Sequence, residues 1–377
     1  MKPTFDTRKY RNLLEEIGAS PQAIDDRIRQ TWTTMFAGPE DERIYWEDGA
    51  DRGYMVDTGN NDVRTEGMSY GMMMAVQLDE QQVFNRLWLW AKTFLQHQDG
   101  PYQHFFAWSA ETNGTRRAQG PAPDGEEYFA LALFFASHRW GEGASPFDYA
   151  RQARTILRAC VHRGKDGNGG HPMWDPETAL IRFVPETPWT DPSYHLPHFY
   201  ELFALWADPE DRPFWRRAAA ASRAYLVRAC HPVTGLAPEY SEYDGTPHQA
   251  SWDYGHHHFY SDSYRVAANL GLDVAWFGAN PGHKAIVDRL HRFFADKDPS
   301  QFKMYRVDGT PLEEPALHPQ GLIATNAMGA LATEGPQAQQ AVELFWQTPL
   351  RKGGRRYYDN CLILLSLLAL SGRYRVW

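Results

Sequence analysis

Residues 61–73 read NDVRTEGMSYGMM, a polar loop end that turns at Thr65 and Glu66 into an apolar, methionine-rich run. That run extends to about residue 78 with helical spacing, and Glu66 stands at its head. A carboxylate there has two readings. It is a helix-start residue, favoured by the positive end of the helix dipole, or a proton donor set in apolar surroundings. The same kind of junction recurs along the chain, and the recurrence decides the fold.

Apolar residues at helical period predict helices over roughly 21–36, 66–78, 80–97, 125–139, 146–162, 194–207, 212–229, 256–271, 279–295, 319–333, 335–348 and 356–371, with a short extra one near 5–17. Strand-like alternation is scarce. The loops leading into residues 66, 125, 194, 256 and 319 are long and carry Gly, Pro, Trp and Asp, whereas those leading into 80, 146, 212, 279 and 335 are short. A ring of helical hairpins produces this alternation, with short turns at one end and long functional loops at the other. The expected architecture is therefore one all-α toroid over residues 1–377, six inner helices ringed by six outer ones. No Ser/Gly-rich linker divides the chain. Nothing resembles a βαβ unit or a Gly-rich phosphate loop.

Composition narrows the function. A formal charge of −9 over 377 residues argues against nucleic acid or an anionic membrane as partner. Cys160, Cys230 and Cys361 are odd in number, sit in apolar helical contexts and form no CxxC, so they read as buried free thiols in a reducing compartment. The first twenty residues lack a signal-peptide core, and the longest apolar run, CLILLSLLAL at 361–370, is too short to span a bilayer. The expectation is a soluble cytoplasmic protein. Its oligomeric state is not set by the sequence.

At the long-loop ends stand Glu66, Asp124 (APDGEEYF), Tyr194 (TDPSYHLPHFYELF), Asp262 (HFYSDSYRVAANLGLD) and His318 (LHPQGLIATNAM), separated by 58, 70, 68 and 56 residues. A hairpin repeat of that length brings all five to one mouth. Taken singly, each has a plainer reading. Asp124 suits a helix N-cap, Asp262 a surface pair with Arg265 at i+3, and Tyr194 and His318 capped loops. Five caps at one repeating phase are less economical than one site. Paired carboxylates in an aromatic-rich cleft suit glycosidic hydrolysis, in which one stays protonated and the other ionised. Burial against Met68, Tyr70 or other aromatics raises the pKa of Glu66 as an acid requires, and Arg265 keeps Asp262 a carboxylate. Gly67 and Gly71 then admit neighbouring backbone or substrate. Of the tryptophans, Trp108 is the first choice to line the cleft and Trp46 a distant second.

No cofactor is expected. Three consecutive histidines, 256–258, placed on a helix point about 100° apart and do not jointly chelate one metal ion. There is no G-x-S-x-G, and the cysteines read as buried, so a serine or cysteine nucleophile lacks support.

The blocks RTEGMSYGMM, PAPDGEEYF, DPSYHLPHFYELFA and FYSDSYRVAANLGLD resemble glycoside hydrolase family 8 along nearly the whole chain, and LHPQGLIATNAM resembles its members that release xylose from the reducing end of short xylo-oligosaccharides. The resemblance implies an (α/α)6 barrel and hydrolysis with inversion at the anomeric carbon. It gives Glu66 the role of general acid, Asp262 that of general base, and Asp124 a grip on the sugar before the scissile bond. It gives Tyr194 a part in holding the attacking water and places Arg265 beside the base. On the residues, the EEPALHPQG loop with His318 closes the leaving-group side of the cleft. Rival readings are an endo-acting β-1,4-xylanase, a glucanase or a chitosanase of the same family, a sugar epimerase on a similar toroid, and a non-catalytic sugar-binding protein.

Overall fold

The computed structural model describes residues 3–165, 167, 169–252, 255–278 and 280–377. Among them, twelve helices make the frame: α1 (Pro21–Ala37), α2 (Thr65–Leu78), α3 (Gln81–Trp90), α4 (Pro123–Trp140), α5 (Tyr149–His162), α6 (Pro197–Trp206), α7 (Arg212–Ala229), α8 (Arg265–Phe277), α9 (Pro281–Ala295), α10 (Pro319–Gly329), α11 (Pro336–Gln347) and α12 (Arg356–Leu370). Two helical turns, Thr4–Thr7 and Leu13–Glu16, stand where one helix over 5–17 was expected. Proline opens α1, α4, α6, α9, α10 and α11, a position where its missing N–H costs nothing.

The even-numbered helices pack neighbour on neighbour from α2 to α12, and α12 returns to α2, closing the ring; each is backed by one odd-numbered helix. This is an (α/α)6 barrel. The sequence separates the two layers by how much of each helix is apolar. Every residue of α12 is buried, whereas the outer α11 buries only Ala338, Val342 and Phe345, a single stripe at helical spacing. All three cysteines are buried and free. No helix among the described residues is long and apolar enough to cross a membrane.

Two helix starts differ from expectation. The helix expected over 256–271 begins at Arg265, after a 3-10 turn at Ser261–Tyr264. Upstream the backbone is extended, because Phe259 and Tyr305 exchange backbone hydrogen bonds in both directions. His256, His257 and His258 are thus not on a helix, and the angular argument against joint chelation does not apply to them. The helix expected from 194 begins at Pro197, and Tyr194 closes a separate 3-10 turn, Pro192–Tyr194. Proline at 197 disfavours the helical region for the residue before it.

Three antiparallel hairpins decorate the barrel: β1–β2 (Tyr45–Asp48, Arg52–Met55), β3–β4 (Val63–Arg64, Ser109–Ala110) and β5–β6 (Lys303–Tyr305, Pro311–Pro315). The β3–β4 pair matters most, because it joins the loop carrying Trp108 to the head of α2. There the Thr65 N–H donates to the Trp108 carbonyl at 3.0 Å.

Inner helices approach most closely where glycine stands. A Cβ on Gly271 of α8 would lie 2.3 Å from the carbonyl oxygen of Met328 on α10, a backbone atom that cannot swing aside. Gly271→Ala is expected to destabilise the barrel by about 1–3 kcal/mol through overpacking, read as a lower denaturant midpoint. A midpoint within error of wild type would mean that these helices do not meet at Gly271.

Candidate active site

All six inner helices present their N-terminal ends to one mouth, and the candidate residues sit at those ends. Glu66 lies in the first turn of α2 and Asp124 in the first turn of α4. Tyr194 precedes α6, Asp262 lies in the 3-10 turn before α8, Arg265 opens α8, and His318 occupies the N-cap position of α10. Glu66, Asp124, Tyr194, Asp262, His318 and Trp108 line a cleft of about 600 Å³, within the range of small-ligand sites. The repeat read from the sequence therefore brings all five residues together.

Beneath the cleft floor lies Arg265, its side chain only 6% exposed. Its Nη1 donates to Glu66 Oε2 (3.1 Å), Asp124 Oδ2 (3.0 Å) and the Tyr70 hydroxyl (2.8 Å), and its Nη2 donates to Ser193 Oγ (3.0 Å). Asp262 is a looser partner, with Oδ1 3.5 Å from Nη2. The sequence reading gave Arg265 to Asp262 alone; in the fold it reaches α2 and α4 more closely. Asp124 is not an N-cap. That position belongs to Ala122, and Asp124 accepts from Arg265 and from the Gly125 N–H.

Glu66 Oε1 accepts from the Tyr357 hydroxyl at 2.8 Å. Burial pushes its pKa up to about 8; Asp124 and Asp262 add to the rise, while Arg265 and the Tyr357 hydrogen bond oppose it. The balance follows from a count of charges. One guanidinium faces three carboxyl groups in a site nearly closed to water, so the best-buried arrangement keeps a proton. The aromatic neighbour responsible is Tyr357, not Met68. A Cβ on Gly67 would lie 2.5 Å from the Tyr357 ring, and one on Gly71 would lie 2.3 Å from Met55 Sδ. These glycines admit side chains rather than backbone or substrate. Asp262 differs from Glu66 in exposure, 34% against 15%, which leaves it room for a water molecule.

On the opposite wall, His318 Nδ1 lies 2.8 Å from Asp359 Oδ2. Arg351 donates to the same Asp359 oxygen and to the Leu317 carbonyl. Although His318 holds the N-cap position, its side chain caps nothing. The ring is instead clamped by one edge, with Nδ1 the donor and Nε2 left as an acceptor.

Tyr194 stacks on Phe183, with centroids 5.9 Å apart and planes 10° from parallel, and its ring lies 5.7 Å from the Arg265 guanidinium carbon. Trp108 is 36% exposed and backed by Arg64, whereas Trp46 lies under Arg43 and does not line the cleft.

Sequence reasoning missed Tyr357, Tyr358, Glu239, Tyr240 and Trp252, all of which line the cleft. The two tyrosines follow His318 by only about forty residues and so broke the sixty-residue phase, although RYYDN at a helix head was a usable signal. The other three sit in the irregular stretch between α7 and α8, where no period marks them. Among the described residues, no cluster of three His, Cys, Asp or Glu side chains is disposed to hold a metal ion.

Known proteins match this arrangement closely. The reducing end xylose-releasing exo-oligoxylanase of Halalkalibacterium halodurans is 57% identical over 375 residues, covering 99% of this chain and 96% of that protein. Reducing-end xylose-releasing exo-oligoxylanase Rex8A of Paenibacillus barcinonensis is 57% identical over 376 residues, covering 100% and 99%. The solved structure of Rex8A complexed with xylose superposes with a TM-score of 0.98 over 99% of each chain. The model of Glycosyl hydrolases family 8 matches residues 47–372, and the chain belongs to that family.

Proposed function

We propose that this chain is an inverting glycoside hydrolase that releases xylose from the reducing end of short β-1,4-linked xylo-oligosaccharides. In this reading Glu66 is the general acid, Asp262 the general base, and residues 1–377 act as one catalytic unit. The observation that carries it is the convergence of a protonated Glu66 and a water-accessible Asp262 on one cleft, both tied to Arg265. The names of the relatives supply the substrate class.

The mechanism follows from the geometry. Glu66 delivers its proton to the leaving glycosidic oxygen, and Tyr357 and Arg265 take up the charge left on the carboxylate. Asp262 accepts a proton from a water that attacks the opposite face, with the Tyr194 hydroxyl as a further partner for that water. Asp124, fixed by Arg265, grips the sugar whose anomeric carbon reacts. On the leaving side, His318 offers Nε2 to the anomeric hydroxyl of a terminal xylose, and the Leu317–His318 segment, pinned by Arg351 and Asp359, stops a longer chain. Trp108 offers a flat face to a sugar ring. The net charge of −9 and three free thiols support a cytoplasmic protein that meets imported oligosaccharides and has no nucleic-acid or membrane partner.

Glu66→Gln is expected to lower kcat on xylotriose by at least about 10²-fold, the scale of general acid help, with an unchanged melting temperature. In wild type, proton NMR of the first turnovers should show the newly formed reducing end of the shortened product as the α-anomer. An early β-anomer would remove Asp262 from the base role.

The acid works only while protonated, so kcat/KM falls as pH climbs through the raised pKa of Glu66. Asp124→Asn removes a neighbouring negative charge and frees Arg265 for Glu66, and both changes favour the carboxylate. The alkaline limb of the kcat/KM profile should therefore move to lower pH in Asp124→Asn, on top of a lower maximum. A limb that stays put or moves upward would assign it to another group.

Substrates with a reduced or methylated reducing end leave His318 unpaired, at a cost of about 1–3 kcal/mol. Wild type should cleave xylotriitol roughly 10–100-fold more slowly than xylotriose, and His318→Ala should narrow that gap. Equal rates in wild type, or internal cleavage of polymeric xylan, would point to the endo-acting member of the family.

A further inference from the structure

The catalytic turn has a support that the reaction itself does not use. Asp262 lies in the 3-10 turn Ser261–Tyr264, whose first backbone N–H groups have no partner inside the turn. Tyr260 and Ser263 close one end, with the Tyr260 N–H donating to Ser263 Oγ at 3.0 Å. The Asp262 N–H is taken by a residue from elsewhere in the chain: it donates to Glu239 Oε1 at 2.6 Å. Glu239 is 1% exposed, and its other oxygen, Oε2, hydrogen-bonds His256 Nδ1 on the cleft wall. Its own backbone is fixed as well. The Glu239 N–H donates to the His258 carbonyl at 3.0 Å, and the Tyr240 N–H to the His256 carbonyl at 2.8 Å. A buried carboxylate on a rigid segment thus acts as a remote cap for the turn that carries Asp262.

The need for such a cap is visible in Asp262. Its side chain is a third exposed, and its contact to Arg265 is 3.5 Å long. The side chain alone does not fix where the carboxylate stands against the attacking water. The backbone has to do so, and the bond from Glu239 is the short, charge-assisted one that holds it.

We propose that Glu239 is a positioning residue that sets Asp262, with His256 orienting the Glu239 carboxyl from the cleft side. The inference rests on the reading of Asp262 as general base. A base displaced by a fraction of an ångström to an ångström loses up to about 10² in rate while substrate binding elsewhere is untouched. The signature is therefore a fall in kcat with KM preserved.

The test is a series at one position, assayed on xylotriose in the full-length protein. Glu239→Gln keeps an oxygen that accepts from the Asp262 N–H and should lose no more than about fivefold in kcat. Glu239→Asp keeps the charge but withdraws the oxygen by one methylene, and should lose roughly tenfold or more. Glu239→Leu fills the volume without an acceptor and should lose roughly 10–100-fold, with KM within about threefold of wild type throughout. If the Leu variant does not fold, the contrast between Gln and Asp decides. Gln and Asp variants of equal activity, a Gln variant weaker than the Asp variant, or parallel changes in kcat and KM would overturn the inference. Asp262→Asn in the same assay separates the two readings. If it retains activity, the base assignment fails. If it is inactive while the Asp and Leu variants at 239 match wild type, only the role of Glu239 fails.

Discussion

One buried guanidinium holds this site together. Arg265 opens an inner helix, is almost closed to water, and bonds to α2 through Glu66 and Tyr70, to α4 through Asp124, and to the segment before α6 through Ser193. An unpaired buried cation is costly, so the ring around it has to supply acceptors. It supplies more negative groups than one cation neutralises. The surplus appears as a proton on Glu66, pushed there by burial and by the neighbouring carboxylates. The structural device that ties four segments together is thus the same one that prepares the acid.

The barrel places the chemistry where the inner helices leave it room. Those helices are apolar nearly all round, because each is enclosed by two inner neighbours and one outer one. Polar groups are tolerated only in first turns or in the loops just before them. Glu66, Asp124, Arg265, Tyr357 and Tyr358 occupy first turns, while Tyr194, Asp262 and His318 lie in the segments immediately upstream. Six helices pointing the same way make that ring of first turns a single mouth.

This also explains what the sequence disclosed. Long apolar helices alternating with short and long loops gave the toroid. The near-sixty-residue phase gave five of the six mouth positions. Tyr357 escaped because the loop before α12 is short, so its spacing from His318 fell out of phase. Glu239 and Trp252 escaped because the segment between α7 and α8 gets its shape from backbone pairing and ring stacking, which leave no period to count. Helix starts were misjudged at α8 and α6 for local reasons: the Phe259–Tyr305 pairing held one segment extended, and Pro197 delayed the other. The roles of Gly67 and Gly71 required knowing which side chains fold over them, a tertiary fact.

The two walls of the cleft are stiffened by different physics. The His318 wall is ionic: Asp359, fully buried, takes the histidine, Arg351 and the Gly321 N–H, so the ring is aimed by charge-assisted bonds at the head of α10. The facing wall is aromatic. Tyr194, Phe183, Trp189 and His248 stack in a column, with successive centroids 5.9, 4.5 and 4.4 Å apart, and Trp252 stands beside Trp189 half exposed. A stacked column resists bending without satisfying any one polar partner, so it guides flat sugar faces while tolerating differences in the chain it accepts. A clamped histidine does the opposite, rewarding one hydroxyl in one place. A cleft with selectivity concentrated at one end and tolerance at the other removes a defined unit from oligosaccharides of varied length.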